Sequence, residues 1–258
     1  MKDFLRISSK DNEQIKLITK LHKSSKLRRE EGIFILEGLR LCSDAIQNGF
    51  VPVRMFVSDK ALENYKNDVE NICQDCENYI LTDTLFAKIS DTITPQGILG
   101  LFKIPDYSAV VLNDKGKYIA LDNVQDPANL GAISRTAEAF GIDGIVLKDG
   151  CDPFSSKSLR ASMGALLRIP IIKTDDLFDT FNSKGIKTYA AVLDKDSVRL
   201  NDVSFFEGCA VIIGNEANGV SEYVKNNCDA KIIIPMNGKA ESLNAAVAAS
   251  IVMWEMCK

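Results

Sequence analysis

From residue 118 onward the chain alternates short, continuously apolar runs with segments of helical apolar spacing, and few folds accept such a pattern. Strands are read at residues 118–121, 144–147, 188–193, 210–213 and 232–234, and helices at 130–140, 158–166, 176–182, 220–226 and 243–256. Strands apolar along their whole length are buried on both faces, and strands separated by helices run parallel. The expectation is an α/β parallel sheet covered on both sides. In such sheets ligands bind beyond the carboxyl ends of the strands.

The glycines and small polar residues fall at those ends. One apolar strand runs into Gly214-Asn215-Glu216-Ala217-Asn218-Gly219, and a second into Pro235-Met236-Asn237-Gly238-Lys239-Ala240-Glu241-Ser242-Leu243-Asn244, which opens the last helix. After the strand ending at Leu121, Asp126 is placed to cap a helix and Pro127 to occupy its first position. A capped helix start accounts for neither the amide of Asn129, nor Gly131 within the first turns, nor Arg135 among small residues. The layout is that of a small-molecule site.

The first half reads as a smaller α/β unit, with helices at 13–21, 39–46 and 62–73 and strands at 33–36, 53–57 and 98–102. Turn formers cluster at 104–108 and again at 113–117. The division expected is a domain over 1–107, a linker over 108–117 and a second domain over 118–258, and a chain of this length can fill two cores.

A net charge of −4 does not suggest a general polyanion binder, yet Lys16, Lys20, Lys23, Lys26, Arg28 and Arg29 fall in one run with no acid between Glu13 and Glu30. The run is either a solvated helix face or a phosphate-contacting arm. Seven cysteines, an odd number in a chain without an export signal, argue for reduced thiols; the pair Cys73 and Cys76 lacks the second pair a metal site needs. His22 is the only histidine, so a histidine triad or multi-histidine metal centre is excluded, and no metal is expected. No apolar run approaches the roughly 18–20 residues of a membrane span, and a cytoplasmic protein is expected.

Three segments carry a resemblance. Residues 129–141, beginning Asn129-Leu130-Gly131-Ala132-Ile133-Ser134-Arg135, then Gly214 to Val220, then Ile234 to Gly238 with Glu241 to Ala248, resemble in order the three motifs of the SpoU/TrmH family of RNA ribose 2′-O-methyltransferases. Around Lys26-Leu27-Arg28-Arg29-Glu30-Glu31-Gly32 the first half is similar to the substrate-binding domain often attached to these enzymes. The resemblance implies an α/β knot, S-adenosylmethionine as cofactor, a homodimer with its site at the subunit interface, and structured RNA as substrate, ribosomal RNA first, with transfer RNA as the alternative.

It also implies roles. Asn129, Arg135, Glu216, Ser242 and Asn244 match catalytic positions; Gly214, Ile234, Met236 and Leu243 match positions on the cofactor; Lys26, Arg28 and Arg29 fall in the RNA-binding run. Ala246 stands where the family often has a serine. The family proposal makes Arg135 a general base. A guanidinium pKa above about 12 favours orienting the RNA phosphate and stabilising the developing alkoxide, and deprotonation by Arg135 stays open. Glu216 is expected to orient Arg135 or other polar groups. The small residues of the last helix, Ala245, Ala246, Ala248, Ala249 and Ser250, suit either close packing between subunits or core packing within one. A catalytically silent RNA-binding module is the competing class; a dinucleotide enzyme is excluded because no Gly-x-Gly-x-x-Gly turn follows a first strand.

Overall fold

Near the start of the chain Phe4-Leu5-Arg6-Ile7 forms an edge strand with no pattern in the sequence to announce it. The computed structural model describes residues 4–258 other than Asp75, Ser108, Ala109 and Glu207. The chain divides into two units, one of Met1–Pro105 with Phe154–Arg160 and one of Asp106–Pro153 with Ala161–Lys258. Each has its own sheet and apolar core.

The first unit holds a five-stranded mixed sheet in the order β1 (Phe4–Ile7), β4 (Glu77–Leu81), β3 (Pro52–Ser58), β5 (Ile98–Lys103), β2 (Ile33–Glu37). β4 is parallel to β1 and β3, whereas β5 is antiparallel to β3 and β2. Its helices are α1 (Glu13–Lys23), α2 (Ser25–Glu31), α3 (Leu39–Gln47), α4 (Asp59–Asn64), α5 (Lys66–Ile72) and α6 (Asp83–Ile89). The helix expected over 62–73 is two, because Tyr65 leaves helical geometry at φ −127°. Ser24 does two jobs: its extended backbone ends α1, and its hydroxyl accepts the Leu27 N–H at 3.1 Å to start α2. The core packs Ile18 and Leu21 of α1 and Phe86 and Ile89 of α6 with Phe56 and Leu99 of the sheet.

The second unit is built on seven strands, and every pairing is parallel, as the continuous apolar runs require. From residue 117 the elements in chain order are β6 (Lys117–Asp122), α7 (Pro127–Ala139), β7 (Gly144–Lys148), α8 (Ser156–Ala161), of which the residues up to Arg160 belong to the first unit, β8 (Ile171–Lys173), α9 (Leu177–Asn182), β9 (Lys187–Ala191), β10 (Val198–Arg199), β11 (Cys209–Ile213), α10 (Glu222–Asn227), β12 (Ala230–Ile233) and α11 (Ala245–Met256). β8 and β10 are too short for a periodicity argument and were not expected. The helix expected over 158–166 stops at Ala161, because Met163 and Gly164 take left-handed backbone, φ 50° and 89°.

The strand order is β10-β12-β9-β11-β6-β7-β8. From β6 the chain steps outward through β7 and β8; β11 then lies on the other flank of β6, between it and β9. The direction of winding reverses beside β6 and β11, where the loops leaving neighbouring strands diverge and open a crevice. No helix among the described residues is long and apolar enough to cross a membrane.

Candidate active site

The crevice is assembled from the loops that leave β6 and β11 and from the segment entering α11. β6 ends on Asp122, buried, whose carboxylate accepts the Ser221 N–H at 2.8 Å and so ties the segment before α10 to β6. Asp126 caps α7 through the Ala128 N–H at 2.9 Å, and Pro127 follows in the first turn. Gly131 is required by contact: a Cβ there would lie 2.4 Å from the Ala161 Cβ and 2.7 Å from the Ser162 nitrogen.

At the end of β11 the chain folds back on itself. Asn215 and Gly219 exchange N–H to carbonyl bonds of 2.9 and 2.8 Å, and the Asn215 side chain caps Ala217 and Asn218 while donating to the Asn123 carbonyl at 2.9 Å. Gly214 sits so close under this turn that a Cβ would meet the Gly219 carbonyl carbon at 2.1 Å.

One hydrogen-bonded chain joins the three segments. The Glu216 carboxylate accepts the N–H groups of Gln125 at 3.1 Å and Asp126 at 3.0 Å, and the Asn129 amide at 2.8 Å. A carboxylate only accepts, so Asn129 must present its NH2 there, which leaves its oxygen for the Asn244 amide at 2.9 Å. The Asn244 oxygen in turn caps α11 through Ala246 and Val247 at 2.9 and 3.2 Å. Every polar atom in the line has a direction fixed by the one before it. Desolvation pushes the Glu216 carboxyl up, but the Asn129 amide and the two backbone N–H groups outweigh it and hold its pKa below the ordinary value.

A cavity of about 650 Å³ opens beside this chain. Gly214, Glu216, Ile234, Met236, Ser242 and Leu243 line it, together with Leu193 and Asp194 beyond the end of β9 and Lys225 of α10. The sequence reading omitted the last three, although the strand-end rule applied to β9 points to Leu193 and Asp194. Asn129, Arg135 and Asn244 are not part of the lining.

Two alternatives are decided and one expectation is corrected. Glu216 orients another polar group, the Asn129 amide, rather than Arg135, which stands exposed on α7 with its Nη1 donating to the Met163 sulfur at 3.3 Å. Arg28 is not on the basic surface, unlike the exposed Lys26 and Arg29; it is buried, with its guanidinium on the carbonyls of Leu21 and, at 3.5 Å, His22. Those carbonyls belong to the last turn of α1 and have no helical donor left, so Arg28 closes the helix end. The small-residue face of α11 is spent inside the chain, with Ala245, Ala246 and Ala249 buried and Ser250 beside Thr136 of α7 at 3.2 Å.

The pattern of the SpoU rRNA Methylase family matches residues 116–254, and that of the MRM3-like substrate binding domain matches residues 12–100. The 23S rRNA (guanosine(2553)-2'-O)-methyltransferase RlmP of Bacillus subtilis is 32% identical over 254 residues, covering 97% of this chain and 98% of the relative. The AdoMet-bound rRNA methyltransferase from Sinorhizobium meliloti aligns with a TM-score of 0.86 at 29% identity, over 97% of this chain and 96% of that one. At 24% identity the AdoMet complex of AviRb from Streptomyces viridochromogenes, TM-score 0.86 over 95% and 97% of the two chains, supports the fold. The fold class is thus the α/β-knot methyltransferase fold preceded by a smaller α/β domain, and the chain belongs to the SpoU family of RNA methyltransferases.

Proposed function

We propose that the protein transfers the methyl group of S-adenosylmethionine to the 2′-hydroxyl of a ribose in ribosomal RNA, with 23S rRNA as substrate. The observation that carries this reading is the chain Glu216, Asn129, Asn244, which takes one residue from each motif and fixes three loops beside the cavity. The cavity suits the cofactor: Gly214, Asn215 and Ala217 bring backbone to its wall, and Ile234, Met236 and Leu243 offer apolar surface for an adenine. Bound there, the cofactor supplies an electrophilic methyl group on a sulfonium. Ser242 adds a hydroxyl to the rim. Arg135 receives an RNA phosphate in its planar fork and stabilises charge on the attacking ribose oxygen, and alignment of oxygen, carbon and sulfur supplies much of the acceleration. Residues 1–107 act as the RNA-binding domain, with Lys26 and Arg29 on phosphates.

The experiment is incubation of purified protein with methyl-labelled S-adenosylmethionine and unmodified 23S rRNA transcribed in vitro, followed by digestion to nucleosides. Label in a 2′-O-methylnucleoside is expected. Label on a base overturns the reaction, label in transfer RNA alone overturns the substrate, and cofactor binding without transfer returns the chain to a silent RNA-binding module.

The working form in this reading is a cytoplasmic homodimer. On α11 and just before it, Leu243, Val247, Ile251 and Trp254 are 37, 48, 36 and 54% exposed at spacings that place them on one helical stripe. A second copy of the chain covers this stripe. Val247→Glu with Ile251→Glu is expected to convert a dimer into a monomer by sedimentation; a wild-type chain that sediments as a monomer removes the dimer.

A further inference from the structure

The turn after α8 is pinned to α7 at both ends. Ala161 and Ser162 press against Gly131, and Arg168 binds Glu138, its Nη2 at 2.9 Å from Oε2. Between these anchors Met163 is held in left-handed backbone, φ 50°, a conformation that asparagine and glycine tolerate and methionine rarely adopts. Its side chain is not using the strain to fill a core, since the residue is 52% exposed. It is instead the partner of Arg135, Nη1 to sulfur at 3.3 Å. Strain kept at an exposed residue, beside the one arginine of α7, calls for a role outside stability.

We propose that Met163 is a positioning residue for Arg135, a neutral cradle that holds the guanidinium extended until an RNA phosphate takes it. A thioether is a weak acceptor and carries no charge. It restricts the rotamers of the arginine without neutralising it, and a phosphate, which binds guanidinium far more strongly, displaces it at little cost. A carboxylate at the same place would compete with the substrate. The two residues come from different elements, and the contacts of Gly131 and Glu138 fix their spacing independently of either side chain. This inference rests on the proposed function, through the phosphate-binding role of Arg135.

The test is single-turnover methyl transfer to the 23S transcript, run beside RNA affinity and thermal melting for wild type, Met163→Leu, Met163→Gly and Arg135→Ala. Met163→Leu keeps the bulk and loses the acceptor, and its rate is expected to fall about fivefold, the worth of one modest hydrogen bond. Met163→Gly is expected to melt no lower than wild type, because glycine is at ease at this φ, while losing a similar factor in rate. In an Arg135→Ala background, Met163→Leu should change RNA affinity no further. Full activity of Met163→Leu, or an effect on affinity that persists without Arg135, overturns the proposal while leaving the function standing. A wild type that transfers no methyl group, or an Arg135→Ala variant at full rate, overturns the proposed function itself and this inference with it.

Discussion

Glu216 and Asn244 are exposed, and so are Arg135 and Ser242, yet the two pairs are held in different ways. The Glu216 carboxylate receives three N–H groups, and the Asn244 side chain makes bonds at both ends. Arg135 has a thioether contact, and Ser242 stands on the rim of the cavity. Accessibility therefore does not separate the framework of this site from its working groups; saturation of hydrogen-bonding capacity does. A side chain whose donors and acceptors are already satisfied within the chain is poorly placed to bind a substrate, whereas an exposed one whose donors face water can exchange that water for a substrate.

The sharpest way to break this division is to remove a member of each class and ask what fails. Arg135→Ala is expected to lower single-turnover methyl transfer by at least about a hundredfold, a loss typical of removing a group that stabilises charge in the transition state. Cofactor affinity by calorimetry and melting temperature should stay near wild type. Arg135→Lys should recover little, because an ammonium lacks the planar fork. If Arg135→Ala instead melts early, the arginine belongs to the framework.

The basic run in the first unit offers the same contrast within four residues. Arg28→Ala strips two carbonyls of the α1 terminus of their donor and should destabilise the protein by about 2 kcal/mol in denaturant titration. Lys26→Ala with Arg29→Ala should leave stability unchanged and weaken RNA binding, flattening its log–log salt dependence by roughly one unit per lost phosphate contact. An RNA affinity insensitive to the Lys26 and Arg29 changes would make the run a solvated face.

The smallest expected effect is at Glu216. Its carboxylate is open to solvent, so Glu216→Ala should lower stability by only about 1 kcal/mol, with the loss appearing in activity as Asn129 and the loop at 125–126 come adrift. Folding lowers the Glu216 pKa, so the folded state gains from its charge above the ordinary value of 4.5 and loses that gain as the pH falls through the lower folded value. Acid melting of wild type below pH 4.5 should therefore be steeper than that of Glu216→Gln, which has no proton to take up at this site. Parallel acid limbs would mean that the N–H groups around Glu216 do not prefer the charged form.

Much of this was legible beforehand where the pattern was long enough to repeat. The parallel sheet follows from apolar strands separated by helices, and the cap at Asp126 and Pro127 was read from residue types alone. The strand β4 and the helices α2 and α6, of five and seven residues, are absent from the sequence pattern as read, and the shortest strands share a physical cause. β1, β8 and β10 have four, three and two residues, less than a periodicity can specify, and they owe their form to the strand beside them. Arg28 looks like its neighbours Lys26 and Arg29 because charge says nothing of direction; the break at Ser24 and the free carbonyls at the end of α1 decide which of the three faces inward. The pairing of Arg135 with Met163 depends on a left-handed residue that no composition rule anticipates.

Gly214 sets a boundary on how the site can change through descent. Its backbone forms part of the cavity wall and touches the turn above it, so every substitution there adds an atom where none fits. Glu241 and Leu243 at the rim are exposed and have no such backbone pressed against them. A lineage that altered its RNA or tuned its hold on the cofactor would find its variation at that rim, with the wall inherited intact. In this site the part that selection can edit and the part it must copy are separated by a single missing carbon.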